Sequence, residues 1–168
     1  NRFPASAALY TPGGKPLSQG MRLKNPDLAR TLRRIAEGGR DGFYKGETAA
    51  LLVAEMARGK GIITAKDLEG YEAKWRAPIA FQYRGHEVVS MPPPSSGGIT
   101  LALIAQQLSK YDLAGLGWHS AKSVHLMAES MRRAFAVRNE VIADPDFVSF
   151  DQAELLSAAF SDALRRTI

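Results

Sequence analysis

The chain has 168 residues, of which 45% are hydrophobic and 23% charged, with 15 glycines and 9 prolines; this is globular usage and excludes a disordered, collagenous or low-complexity chain. That length is one domain, or one large piece of one, and suffices to bury roughly two-thirds of the unfolded surface. No cysteine is present, excluding a disulfide scaffold, a cysteine-based zinc site and a cysteine nucleophile. The longest purely apolar stretches, such as 101–105, fall far short of the ~20 residues of a membrane span, and mean hydropathy is −0.18, so no membrane span is expected. The 22 Lys+Arg against 17 Asp+Glu give a net charge of +5, which raises the question of nucleic acid. Clustering decides against it: Arg33-Arg34, Arg132-Arg133 and Arg165-Arg166 are isolated pairs on separate predicted helices, with Glu37, Glu129 and Asp162 within about a turn, and read as solvated helix faces. From Asn1 onward there is no initiator Met, basic n-region or apolar h-region, so the expectation is a removed targeting segment or an internal piece of a longer chain.

Residues 1–24 carry Pro4, Pro12, Gly13, Gly14, Pro16 and Gly20, and read as an extended, turn-rich lead-in. Residues 25–77 read as helical. Asn25-Pro26-Asp27 supplies an N-cap, a proline at the first helical position and an acid at the positive helix end; Leu28, Leu32 and Ile35 form the stripe and Gly38-Gly39 stops it. After a connection over 41–46, a second helix is predicted over about 47–58, with Leu51, Leu52, Val53 and Met56 on one side and Gly59 and Gly61 ending it. Thr64 and Asp67 form a capping-box pattern that opens a short turn toward Tyr71.

The period changes at Pro78. Ile79, Phe81 and Tyr83 alternate with Ala80 and Gln82, Arg84-Gly85 makes a tight turn, and 87–91 answers as a second strand, so 78–98 is a β-hairpin with one buried face and a following junction. Pro92-Pro93-Pro94 forces an extended exit into Ser95-Ser96-Gly97-Gly98. Residues 99–168 read as helical: a run over 99–108, then a long helix from Ser120 with Val124, Met127, Ala128, Met131, Ala134, Phe135 and Arg138 at helical spacing, ending before Asp144-Pro145. A last helix opens on the Asp151/Glu154 cap and carries Leu155, Leu156, Ala159, Phe160 and Leu164 almost to the terminus.

Ser95, Ser96, Gly97 and Gly98 at a helix mouth make a recipe for holding an anion, since small residues expose unpaired N–H groups at the positive end of the dipole. The favoured reading is structural: Ser95 or Ser96 caps the helix and the glycines permit close packing against a strand. No Lys-Ser/Thr pair follows, so it is not a phosphate loop of the Walker type. His125 and Glu129 share a helix face, yet neither they nor His119 or His86 find a third ligand, so no metal and no cofactor is expected. No Gly-x-Ser-x-Gly elbow occurs, and Asp67 and Asp112 lie in no triad context. Asp144-Pro145-Asp146 reads as Asx turns, and the dispersed Trp75, Trp118, Tyr71, Tyr83 and Tyr111 as core and interface packing rather than a base-stacking platform. From the residues alone the chain is a helix-rich α+β domain with a β-hairpin.

Several segments in order resemble the large subunit of gamma-glutamyltransferases: Leu28-Ala-Arg-Thr-Leu with Ile35-Ala-Glu-Gly-Gly, Phe43-Tyr44-Lys45-Gly46, Gly61-Ile-Ile-Thr64-Ala-Lys-Asp67-Leu68-Glu-Gly-Tyr71, Pro78-Ile79 with Tyr83-Arg84-Gly85, Met91-Pro-Pro-Pro-Ser-Ser-Gly-Gly98, and Ala128-Glu129 with Asp144-Pro145-Asp146-Phe147. The resemblance implies part of an αββα N-terminal-nucleophile hydrolase, made as a precursor that cleaves itself into a large and a small subunit. The small subunit's new N-terminal Thr attacks the gamma-glutamyl amide of glutathione, activated by its own α-amine, and water or an amino acid or peptide acceptor resolves the gamma-glutamyl enzyme. The Thr-x-His-x-Ser type start of that subunit is absent here, as is the earlier stretch that supplies the family's carboxylate-binding arginine. The resemblance therefore implies the C-terminal portion of a large subunit, short of the processing site, a scaffold inactive alone and carrying no catalytic residue. Ser95, Ser96, Gly97 and Gly98 are the candidate pocket-shaping residues. The implied partners are the small, catalytic subunit of the same precursor and glutathione or other gamma-glutamyl compounds, with self-association of the isolated chain through uncovered apolar faces; the implied location is periplasmic or secreted. The alternatives are a related amide acylase of the same superfamily and a non-enzymatic basic helical interaction module.

Overall fold

A computed structural model describes residues 3–168, which divide into two compact units, one up to Ala73 and one from Lys74 to Ile168. The first unit is all helix: α1 (Pro4–Tyr10), a single 3₁₀ turn (Pro12–Gly14), α2 (Pro26–Gly38), α3 (Asp41–Tyr44), α4 (Gly46–Gly59) and α5 (Ala65–Gly70). The lead-in is thus not extended throughout. Pro4 stands at the first helical position, where its missing N–H costs nothing, the alanines after it are strong helix formers, and Thr11 closes the helix with its N–H and hydroxyl both donated to the Ala7 carbonyl. Asn25 caps α2 as the sequence implies, its Oδ1 accepting from the Leu28 N–H at 3.0 Å.

The expected connection over 41–46 instead holds a helical turn, α3, tied by the Lys45–Asp41 ion pair at 3.2 Å. Gly42 lets α3 approach α2, since a Cβ there would stand 2.0 Å from the Arg34 carbonyl oxygen. α4 ends at Gly59 as expected, although the left-handed residue that closes it is Lys60, at φ 57°, and not a glycine. The capping box of α5 forms, with the Asp67 N–H donating to Thr64 Oγ1 and the Thr64 N–H to Asp67 Oδ2. Tyr44 stacks on Tyr71 with centroids 5.0 Å apart, Phe43 meets Tyr44 edge-on, and the Arg40 guanidinium lies 5.2 Å from the Tyr44 centroid while donating to the Glu69 and Tyr71 carbonyls.

The second unit begins with antiparallel β1 (Ile79–Tyr83) and β2 (His86–Ser90), in the register Ile79↔Ser90, Phe81↔Val88, Tyr83↔His86. Arg84 and Gly85, with φ of 51° and 81°, are the two-residue turn; β2 starts one residue earlier than the alternation implies and leaves Met91 outside. Ile79 and Phe81 are buried, Ala80 and Gln82 exposed, which is the one-sided hairpin expected. Pro93 and Pro94 form a turn with a cis bond between them rather than an extended exit, and Pro93 is buried.

Four helices complete the unit: α6 (Gly97–Leu108), α7 (Ala121–Val141), α8 (Gln152–Leu155) and α9 (Ala158–Arg165). The core joins Ile79 of β1, Ile99 and Leu103 of α6, Ala134 of α7 and Leu155 of α8; Phe81, Ala102 and Ala105 form a second cluster beside it. The expected single last helix is two, because Ser157 takes extended angles and its hydroxyl caps the Phe160 N–H, starting α9 afresh. On α7 the expected apolar stripe is buried only at Ala134. Val124, Met127, Met131 and Phe135 are exposed, and α6 instead meets the small side of α7, where Ser123, Ser130 and Ala134 are buried. Trp75 and Trp118 are not core residues either, being 103% and 91% exposed. A helix-rich α+β arrangement with one two-stranded hairpin is what the described residues hold; a four-layer sandwich is not among them. None of the described helices is long and apolar enough to cross a membrane.

Candidate functional site

The α6 mouth is built from the hairpin, the proline turn and α7. Gly98 is buried, and a Cβ on it would lie 2.3 Å from the Met91 carbonyl oxygen and 2.6 Å from Ile79 Cδ1, so the glycine is there for close approach to the hairpin, as the structural reading held. Gly97 has no such constraint: its Cβ would meet only Ser95 Oγ, at 3.6 Å.

The serines behave differently from the expected caps. Ser96 has helical angles and makes no side-chain cap; its hydroxyl accepts from Arg138 Nε at 3.1 Å, and its carbonyl accepts from the Thr100 N–H at 3.0 Å and hydroxyl at 2.8 Å. Ser95, exposed, accepts from the Gly97 N–H at 3.4 Å. The structure therefore places Ser95, Ser96, Gly97 and Gly98 together and adds Arg138, which sequence reading had assigned to helical spacing alone. Arg138 also donates to Asn139 Oδ1 at 2.8 Å. A guanidinium beside a helix N-terminus gives the mouth a positive local potential; it supplies no nucleophile and no base.

The other candidates separate. His125 and Glu129 do not form a metal pair, because Arg132 and Arg133 claim Glu129, and the hydrogen bond from Arg132, then that from Arg133, lowers its carboxyl pKa to about 2. Among the described residues no group of three His, Asp or Glu could hold a metal ion. His119, at φ 53°, stacks on Trp118 with centroids 4.3 Å apart. The Asx turn at 144–146 forms, the Asp146 N–H donating to Asp144 Oδ1 at 3.0 Å. Sequence reading missed its partners: Lys74 reaches Asp146 at 2.7 Å and Arg76 reaches it at 2.9 Å, and these cations hold the Asp146 carboxyl below its ordinary value. Also missed is an open surface hollow of about 460 Å³ lined by Tyr111, Leu116, Lys122, His125 and Leu126 together with the Asp112-Gly115 turn.

The family model of gamma-glutamyltranspeptidase matches residues 1–168. A glutathione hydrolase proenzyme of Pseudomonas sp. (strain A14) is 47% identical over 163 residues, which are 97% of this chain and 28% of that protein. An acylase ACY 1 proenzyme of Pseudomonas sp. (strain SE83) is 42% identical over 167 residues, 99% of this chain and 30% of that one. Among solved structures, the gamma-glutamyltranspeptidase of Helicobacter pylori superimposes with a TM-score of 0.84 at 38% identity, covering 99% of this chain and 48% of that chain. The chain thus spans less than a third of the length of these curated relatives.

Proposed function

Since this chain belongs to the gamma-glutamyltranspeptidase family, we propose that it is a scaffold portion of the large subunit of an enzyme that cleaves the gamma-glutamyl amide of glutathione. The observation that carries the reading is the match of the family to all 168 residues, joined to 47% identity with a glutathione hydrolase proenzyme of which the chain covers 28%. The reacting groups lie elsewhere in the precursor. There the N-terminal Thr of the small subunit adds its hydroxyl oxygen to the gamma-carbonyl, its α-amine takes the hydroxyl proton and passes it to the departing amine, and a gamma-glutamyl ester remains. Water, or the amine of an amino acid or peptide acceptor, then breaks that ester and restores the hydroxyl.

Residues 78–168 serve this chemistry as a support. The hairpin and α6 are held together by Gly98, and α7 reaches back through Arg138 to fix Ser96. Ser95 to Gly98 shape the region beside the small subunit; unchanged processing, KM and turnover in a full-length Ser95→Ala/Ser96→Ala enzyme would remove that role. The small subunit of the same precursor and glutathione or other gamma-glutamyl compounds are the partners, and the product is exported to the periplasm or secreted. The isolated chain self-associates through its uncovered apolar side chains, among them Leu28, Leu32, Met131 and Phe135; a monomer by sedimentation would count against this.

The deciding experiment compares the full gene product with the 168-residue chain, by intact mass and by gamma-glutamyl-anilide hydrolysis. A full product that splits in two and is active, beside a silent chain, is the expected result. Hydrolysis by the chain alone would overturn the scaffold reading, and a full product inactive on gamma-glutamyl anilides would overturn the substrate.

A further inference from the structure

Arg133 is 9% exposed, on α7, and each nitrogen of its guanidinium is engaged. Nη1 donates to the Glu129 carbonyl at 3.0 Å and to the Glu129 carboxylate; Nε donates to Thr167 Oγ1 at 2.6 Å; Nη2 donates to the Thr167 carbonyl. Thr167 lies just past α9, and its hydroxyl donates onward to the Leu164 carbonyl at 2.8 Å. Taking a guanidinium out of water is costly unless every donor is met, and an apolar side chain would fill the same space without that cost. What an arginine adds is direction: a planar fork aimed at two acceptors of one residue, set at the negative end of α9 and steadied from behind by Glu129.

We propose that Arg133 is a positioning residue that fixes the turn after α9, hence the direction in which the chain leaves that helix, and that this direction governs how fast the precursor is cleaved. The inference rests on the precursor reading above. Peptide cleavage breaks one C–N bond and consumes one water, and its rate depends on holding the scissile bond in register with its attacking group. A loosened exit from α9 spreads that register without touching the reacting atoms.

The test uses the full-length gene product as wild type, Arg133→Met, Arg133→Lys and Thr167→Val. It follows cleavage by intact mass after synthesis, amide exchange over 164–168, and kcat/KM of the cleaved fraction. Arg133→Met is expected to slow cleavage by about tenfold or more and to speed exchange over 164–168, leaving kcat/KM of the cleaved enzyme unchanged. Arg133→Lys is expected to restore part of the rate, and Thr167→Val, which loses the Nε acceptor and the hydroxyl's own bond to the Leu164 carbonyl but keeps the Nη2 contact to the Thr167 carbonyl, to slow cleavage by about twofold to threefold. If Arg133→Met does not fold, Arg133→Lys and Thr167→Val decide. Wild-type cleavage rates in the folded variants overturn the proposal while leaving the precursor reading in place. A wild-type product that is never cleaved overturns both.

Discussion

Up to Ala73 the buried side chains among the described residues are Thr48, Ala49 and Leu68, whereas from Lys74 onward Ile79, Phe81, Ile99, Leu103, Ala134 and Leu155 are withdrawn from water in two contiguous clusters. The first unit is held by caps, by the Arg34–Glu47 and Lys45–Asp41 ion pairs, and by the Arg40–Tyr44–Tyr71 stack. The second is held by packing of α6 between the hairpin and α7. Local signals set where helices begin and end, but helices this short take their stability from packing of their apolar sides, and Leu28 and Leu32 of α2 remain exposed.

The largest effect that tests this contrast is expected from Leu103→Ala, which empties the centre of the second unit and should cost about 3–4 kcal/mol. Hydrogen exchange in the full-length product should rise across β1, α6 and α7 and stay unchanged up to residue 73. A rise in both units would break the contrast. Next is Gly98→Ala, whose Cβ must displace the Met91 carbonyl or Ile79; overpacking of this kind costs about 2 kcal/mol, read as a shift in urea midpoint with the same exchange pattern. Smaller again, Tyr71→Ala removes one ring of the stack and should cost about 1 kcal/mol beyond its buried area, with faster exchange over α3 and α5 and none in the hairpin.

How much was legible follows the same division. Asn25 and Thr64 each cap the helix their spacing implies, because a cap is a contact over three residues; Asp151 caps too, but only the short α8 and not the whole expected last helix. The hairpin was legible from its alternation and its Arg84-Gly85 turn. What could not be read is where a side chain meets a partner about 30 to 70 residues away. Arg40 donates to the Tyr71 carbonyl, Arg84 to that of Tyr111 and Arg133 to that of Thr167, so part of the +5 charge is spent on carbonyls past the ends of α5, α6 and α9 rather than on solvated faces. The α7 stripe misled for a related reason. Periodicity finds apolar residues, but α6 packs closely only where α7 is small, so of the stripe Ala134 alone goes inside, joined by Ser123 and Ser130 from beside it, and Met131 and Phe135 are left outside. At the α6 mouth, close packing by Gly98 was legible, whereas the Ser96–Arg138 contact across 42 residues was not.

The smallest expected effect is in acid, and it separates the units by carboxylates rather than by packing. Glu129 has an ordinary pKa of 4.5, lowered to about 2 in the folded chain by Arg132 and Arg133. A carboxyl whose folded pKa is depressed binds protons more readily when unfolded, so its contribution is whole above pH 4.5 and is lost as pH falls from there through 2. Glu129→Gln keeps an acceptor for Arg133 but not the charge. Its urea midpoint should therefore lie below that of the wild type at pH 6, with the gap closing as pH falls through that window. In the first unit Asp67 is also held below its ordinary value, chiefly by the Thr64 hydroxyl, so Asp67→Asn should flatten the acid response of exchange over α5 alone. If Glu129→Gln instead changed exchange over α5, or Asp67→Asn over α9, the two units would share one acid transition and the contrast drawn between them would fail.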